Sequence, residues 1–341
     1  MAEQAKGSKT KLPLKWRLKA WWEGYDPAEL EKRYLASLPP EDAPPPAPPA
    51  PKKAAEAPKP AALASTVEEI DPVQNAADRI NIAQYIWGEG YCGPGGPDYI
   101  VALSKLLALS PEMSMLFLAA GLGGPARVLA DKFGVWVTGY EEDEHLAAKA
   151  KELSKMAGME RKAAVEHYTP NDEFEGFDRK FDRAMAKEAL YTVEDKDALI
   201  AHVEDKLKPG GLFLITDYVI SEDSVVAKES FREWKVAERS TPYMVTPKEL
   251  EAKLKNVRMQ VRVSEDITAQ YVDMINKAWA GADEVAAKLA KLDDGARLIQ
   301  VLMREAEYWT RRKSLLEAGD IRLWRIVANK KAGGPSMMSD W

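Results

Sequence analysis

The chain has 341 residues, 46% of them hydrophobic, and a formal net charge of −6. That is enough apolar material for one large domain with extensions, and the acidic balance excludes a nucleic-acid-binding domain, whose surface would carry a basic field. A single cysteine, Cys92, excludes an intramolecular disulfide and a multi-cysteine metal site, and fits a reducing compartment.

The N-terminal residues 1–38 combine Lys6, Lys9, Lys11, Lys15, Arg17 and Lys19 with Leu14, Leu18, Trp22 and Tyr25 at helical spacing, after Pro13. This predicts a basic amphipathic helix, followed by a second short helix from Pro27 to Leu38. Two readings stand: residues 12–38 dock on a membrane surface or a protein partner, or they fold back over an apolar patch of the body. Residues 39–65 form a Pro/Ala-rich linker, since ten of the 22 prolines lie between Pro39 and Pro60. No apolar run reaches the length of a membrane span, and the N-terminus lacks a signal peptide's apolar core and cleavage site. The expected location is cytoplasmic, with peripheral attachment at the inner membrane face if the N-terminal helix docks there.

From Asp98 onward helical and strand patterns alternate, the mark of an open parallel sheet covered on both faces. The patterns predict helices at Tyr99–Leu109, Pro125–Phe133, Glu142–Met156 and Lys196–Leu207. They predict strands at Met113–Ala119, Val135–Tyr140, Ala163–His167, Asp182–Ala186 and Leu212–Asp217. A helical stretch from Ser221 to Glu238 follows, then strands near Val257–Val263 and Ile321–Ala328 around a mainly helical block. Those last two strands would form an antiparallel edge. The folded body is expected over 66–331, with a flexible tail at 332–341.

The segment from Met115 to Asp143 reads as strand, Gly121-Leu122-Gly123-Gly124 turn, helix, strand and acidic residues. Glycines there permit close backbone approach, and the helix that follows presents its positive end. Glu141, at the end of the second strand, is placed to accept hydrogen bonds from the two hydroxyls of an adenosine ribose. Leu207-Lys208-Pro209-Gly210-Gly211 reads as a helix stop leading straight into the buried strand LFLITDY. His145, His167 and His202 have no metal-ligand spacing, so no metal site is expected. Trp234, Trp279, Trp309 and Trp324 read as core or cap packing.

Five motifs, IWGEGYCGPGG (Ile86–Gly96), the glycine turn, KPGGLFLITDY (Lys208–Tyr218), VTPKEL (Val245–Leu250) and LDDG (Leu292–Gly295), resemble, in this order, the phosphoethanolamine N-methyltransferases. These belong to the class I S-adenosyl-L-methionine (SAM) methyltransferases. The resemblance implies a Rossmann-like α/β fold with a mostly parallel seven-stranded sheet, helices on both faces and a helical cap, here with a tethered N-terminal helical segment. It also implies S-adenosyl-L-methionine as cofactor, held by Ala119, Gly121, Gly123, Glu141, Glu142 and Tyr168. Glu188 and Tyr218 would be catalytic, and Tyr91, Tyr218, Arg239 and Tyr243 would meet the substrate.

The sequence departs from the family pattern at Phe117, where an acid is usual, at Ala119, where a glycine is usual, and at Thr192, where a histidine is usual. Asp172 is a candidate for the adenine-side acid. Glu188 reads equally as an ammonium-binding acceptor or as a salt-bridged surface acid. The first functional reading is a SAM-dependent methyltransferase acting on a small polar or lipid-headgroup amine. The second is a catalytically degenerate methyltransferase-like scaffold.

Overall fold

A computed structural model describes residues 72–170 and 179–332. The expectations for residues 1–38, the linker, Asp172 and nearly all of the tail lie outside these residues. Two helices lead in, α1 (Pro72–Trp87) and α2 (Pro97–Ser104). The body then runs β1 (Ser114–Leu118), α3 (Gly124–Phe133), β2 (Trp136–Glu141), α4 (Glu144–Met156), β3 (Ala163–His167), β4 (Phe181–Lys187), α5 (Lys196–Lys206) and β5 (Leu207–Ile220). It ends with α6 (Glu229–Ala237), α7 (Pro247–Asn256), β6 (Met259–Asp266), α8 (Thr268–Trp279), α9 (Ala282–Leu289), α10 (Gly295–Ala318) and β7 (Ile321–Lys330).

The strands form one seven-stranded sheet in the order β3-β2-β1-β4-β5-β7-β6. β1 to β5 are parallel, while β7 runs antiparallel to β5 and β6, as the sequence pattern predicts. The chain winds outward from β1 through β2 to β3, then returns to the other side of β1 as β4. That reversal leaves a crevice at the carboxyl ends of β1 and β4.

Both faces of the sheet are covered because the strands alternate between two cores. Met115 and Phe117 of β1, Met185 of β4 and Leu214 and Tyr218 of β5 join one core with α1, α2 and the C-terminal helices. Leu116, Leu118, Ala184, Ala186, Phe213 and Ile215 join the other, under α5 and α7. Phe117 is fully buried, so the residue standing where the family carries an acid serves the core. Trp87 lies 4.6 Å from Trp309 with the rings tilted by 60° and meets Trp279 edge-on at 6.4 Å, binding α1 to α8 and α10. Trp234, Trp279 and Trp309 are buried and Trp324 is partly buried, so all four pack as expected.

Local chemistry sets the helix ends. The Asp143 carboxylate accepts from the amides of His145 and Leu146 at the start of α4, and Thr246 and Glu249 form a reciprocal capping box at α7. α10 stops at Gly319, which takes φ 77°.

Several boundaries differ from the sequence reading by one to three residues, and three differences have a local cause. α2 closes at Ser104 and tightens into a 3₁₀ turn over Lys105–Leu107, because Ala108 takes φ 46°. The stretch from Ser221 to Glu238 divides into a 3₁₀ turn over Asp223–Ala227 and α6. The Leu207–Gly211 run lies within β5 rather than before it: pairing with β4 jumps from Phe181↔Leu207 to Arg183↔Leu212. Gly210 at φ 77° absorbs the extra residues as a bulge.

Candidate functional site

Two residues immediately beyond the central strands are held in the left-handed region without being glycine: Ala119 after β1, at φ 53°, and Glu188 after β4, at φ 50°. Such backbone is costly for side chains with a Cβ and concentrates at ligand sites. Both lie at the crevice where the strand order reverses.

On the β1 side, Gly121 and Gly123 take φ 56° and 72°. The close approach that the glycines permit is made by the chain's own loop over Gly88–Gly96. The Gly124 amide donates to the Gly90 carbonyl at 3.0 Å, and a Cβ on Gly124 would stand 2.4 Å from that oxygen. A Cβ on Gly121 would stand 2.8 Å from the Cys92 sulfur. Tyr91 is buried against Gly124, and its hydroxyl has no hydrogen-bond partner among the described residues.

Glu141 is buried at the end of β2, with its carboxylate accepting from the Gly121 amide at 2.7 Å and the Asp143 amide at 3.1 Å. Burial outweighs these two donors and raises its pKa to about 7. Each oxygen has one backbone donor, which leaves acceptor capacity for a diol, so the donor set fits an adenosine ribose. Tyr168 sits beside it: its amide donates to the Glu141 carbonyl at 3.1 Å, and its ring meets Tyr140 edge-on at 5.8 Å. Glu142 is exposed, and its carbonyl faces Nε2 of His167 at 3.0 Å.

On the β4 side, Glu188 is salt-bridged to Lys187 but is not a surface acid, since its side chain is only 12% exposed. Its carboxylate accepts from the Thr216 hydroxyl at 2.9 Å and from the Tyr271 hydroxyl at 3.5 Å. Tyr271 and Tyr218 share a hydrogen bond of 2.7 Å, and Arg312 donates to the Tyr218 hydroxyl at 3.2 Å. Glu188 and Tyr218, the two expected catalytic residues, are thus joined through Tyr271. Burial drives the Tyr218 and Tyr271 phenols well above their ordinary pKa, so both stay neutral hydrogen-bonding groups.

Arg312 is the centre of this cluster and was not legible as a site residue. It donates to Tyr191 at 3.2 Å and also to Tyr308, and forms a fully buried ion pair with Glu238. The rings of Tyr191, Tyr218, Tyr308 and Trp309 surround its guanidinium at 4.7 to 5.5 Å. The sequence carries one signal for it. The buried stripe of α10 runs Leu298, Val301, Leu302, Glu305, Ala306, Trp309, Arg312, Leu315 and Leu316, so Glu305 and Arg312 are charges on an apolar face.

Arg239 stacks on Tyr308 at 4.0 Å and pairs with Glu305, adjoining the Arg312 cluster. Tyr243 does not join it: the residue is 36% exposed, and its backbone carbonyl takes the Lys196 ammonium. Among the described residues no His/Cys/Asp/Glu group has metal-binding geometry, and no helix is long and apolar enough to cross a membrane.

Residues 97–257 match a family model described as a methyltransferase domain. The chain is 30% identical over 154 residues to phosphoethanolamine N-methyltransferase 2 of Caenorhabditis elegans, a match that covers 44% of this chain and 34% of that protein. It is 24% identical over 248 residues to the phosphoethanolamine N-methyltransferase of Plasmodium falciparum, covering 69% of this chain and 91% of that one. Among solved structures, phosphoethanolamine N-methyltransferase 2 of Haemonchus contortus, in complex with phosphomonomethylethanolamine and S-adenosylhomocysteine, superposes with a TM-score of 0.60 at 22% identity. That superposition covers 77% of this chain and 61% of that one. The chain spans about a third of the length of several relatives it matches. The domain match, the strand order and the structural likeness together place this chain among the proteins of the class I SAM-dependent methyltransferase fold, with phosphoethanolamine N-methyltransferases among its relatives.

Proposed function

We propose that the chain transfers a methyl group from SAM to the amine of a small polar acceptor of the phosphoethanolamine kind, free or as a lipid headgroup. The observation that carries this reading is the pairing of buried Glu141 with the Glu188–Tyr271–Tyr218 chain across the crevice between β1 and β4. When bound, SAM supplies an electrophilic methyl group on a sulfonium. Glu141 would hold the ribose diol, with Gly121, Gly123 and Tyr168 around it and Glu142 at the rim.

On the acceptor side, Glu188 stands at the carboxyl end of β4, beside the crevice, with its carboxylate oriented by Thr216 and Lys187. A carboxylate there attracts an ammonium and accepts its proton, while neutral Tyr218 and Tyr271 orient the nitrogen by hydrogen bonding. The tyrosines supply positioning, and Glu188 supplies proton acceptance. The scaffold reading has no support among the relatives, whose names describe catalysts.

Calorimetric titration of the full chain with SAM and with S-adenosylhomocysteine tests the reading. Binding is expected, and Glu141→Ala should weaken it about 10-fold or more, the order of a hydrogen-bonded charge. No heat at about 1 mM ligand, a concentration that detects even weak complexes, would overturn it.

A further inference from the structure

Lys187 of β4, Thr216 of β5, Arg325 of β7 and Glu265 of β6 stand opposite one another in the strand pairing, so they make one row across the sheet. Lys187 and Thr216 each lie two residues past Met185 and Leu214, which places the row on the face that packs against α1, α2 and the C-terminal helices. Tyr99, on α2, packs against that same core. Its ring and the Lys187 side chain meet one glycine: a Cβ on Gly95 would stand 2.5 Å from the ring's Cδ1 and 3.4 Å from Lys187 Cε. Gly95 takes φ 101°, and because it has no Cβ the loop over Gly88–Gly96 lies directly on the Tyr99 ring.

The polar side chains of the row are all taken. Lys187 and Thr216 donate to the Glu188 carboxylate, and Arg325 donates twice to Glu265. The Tyr99 hydroxyl is buried and has no hydrogen-bond partner among the described residues. An unbonded hydroxyl in the interior is costly and uncommon, so its retention asks for a reason beyond the fold. Burial, and next to it the Glu188 charge, drives the phenol well above its ordinary pKa. Tyr99 therefore stays neutral in the neighbourhood of Glu188, with its oxygen lone pairs open to a donor.

Resting on the proposed methyl-transfer reading, we propose that the Tyr99 hydroxyl is a binding group for the acceptor's amine, accepting one of its N–H groups while Glu188 meets its charge. The ligand class is a primary or secondary ammonium, which has an N–H for each of the two. A quaternary ammonium carries the same charge and no N–H, so it satisfies Glu188 and leaves the phenol unpaired. Tyr99 thereby discriminates by methylation state, because a site built to hydrogen-bond a ligand rejects the analogue that cannot fill the bond.

The test is Tyr99→Phe in the full chain, which keeps the ring on Gly95 and removes only the hydroxyl. A hydroxyl that served the fold would cost stability when removed; here the melting temperature should hold or rise by about 2 °C. Calorimetric titration with phosphoethanolamine, without SAM, should show binding about 10-fold or more weaker than the parent's, the scale of a hydrogen bond to a charged group. Phosphocholine, the trimethylated analogue without an N–H, should bind the two chains within about 2-fold of each other. A melting temperature lowered by about 2 °C or more, equal phosphoethanolamine affinity in the two chains, or an equal loss for both ligands would each overturn the proposal. A parent chain that binds neither ligand would remove the acceptor reading itself, and this proposal with it.

Discussion

Glu188 is held by three side chains and by backbone that only its surroundings make tolerable. Its amide donates to the Thr216 carbonyl at 2.6 Å, and Thr216 also donates its hydroxyl to the carboxylate, so β5 fixes both the main chain and the side chain. Glu188→Gln should therefore preserve the fold. It should lower kcat for methyl transfer by about 100-fold or more, the usual scale of general-base loss, while SAM affinity measured by calorimetry stays unchanged. A loss of SAM affinity equal to the loss of rate would instead place Glu188 on the cofactor side. Glu141 gives a second residue-scale expectation. Its folded pKa of about 7 stands above the ordinary 4.5 because it is buried. Below about 4.5 both folded and unfolded forms hold the proton; between there and 7 the unfolded chain releases it first. The stabilisation is complete at the acid end and is lost as pH rises to 7, by about 3 kcal/mol. Denaturant unfolding at pH 5 and pH 7.5 should show this loss in the parent chain and not in Glu141→Gln.

At the scale of elements, the glycine turn and the Gly88–Gly96 loop act as a pair. Gly124 is required because the backbone of that loop lies on it, and Gly121 because the Cys92 sulfur of the same loop does. Gly124→Ala would put a Cβ 2.4 Å from the Gly90 carbonyl, which backbone cannot relieve without separating the two segments. We expect it to destabilise the protein by about 2 kcal/mol or more, read from the denaturant midpoint, and to weaken SAM binding with it. Gly158→Ala is a control of another kind. Unlike Gly124 it takes a positive φ, 67°, but it has nothing within 4 Å, so the change should cost about 1 kcal/mol in backbone strain and leave ligand binding alone. The C-terminal helices show the complementary case. α10 brings Glu305 to Arg79 and Arg239, and Arg312 to Glu238, so one helix face carries both the cap's tryptophan contact and its charge pairs.

For the molecule as a whole, the basic helix expected within residues 12–38 is proposed to dock outside the folded body rather than to cover it. If it docks on an anionic membrane surface, the full chain should co-sediment with vesicles containing anionic lipid, and a chain lacking residues 1–39 should not. Equal pelleting of the two would remove the membrane role. A membrane-held body would meet headgroup amines at high local concentration, which gives the tether a use in the proposed reaction.

Much of this architecture could be read in advance because it rests on local rules. Strands that alternate between two cores, glycines between strand and helix, and an acid closing β2 are all consequences of spacing along the chain, and they sufficed for the sheet, its antiparallel edge and Glu141. What escaped the sequence depends on residues far apart in it. Tyr191, Glu238, Tyr271, Tyr308 and Arg312 come from four different segments, and each alone reads as an ordinary packing or surface residue; Tyr218 alone of the cluster is legible in advance. Only folding brings their hydroxyls and charges into one dry cluster, where low dielectric makes an unpaired charge intolerable and so fixes their partners. The KPGG bulge is of the same kind, since local turn chemistry suggests a stop while pairing with β4 carries the strand through it. The sequence by itself determined the fold and the place of the crevice, because periodicity and turn chemistry act between neighbours. The tertiary structure alone decided what lines that crevice, because burial and charge pairing act between residues that the chain keeps apart.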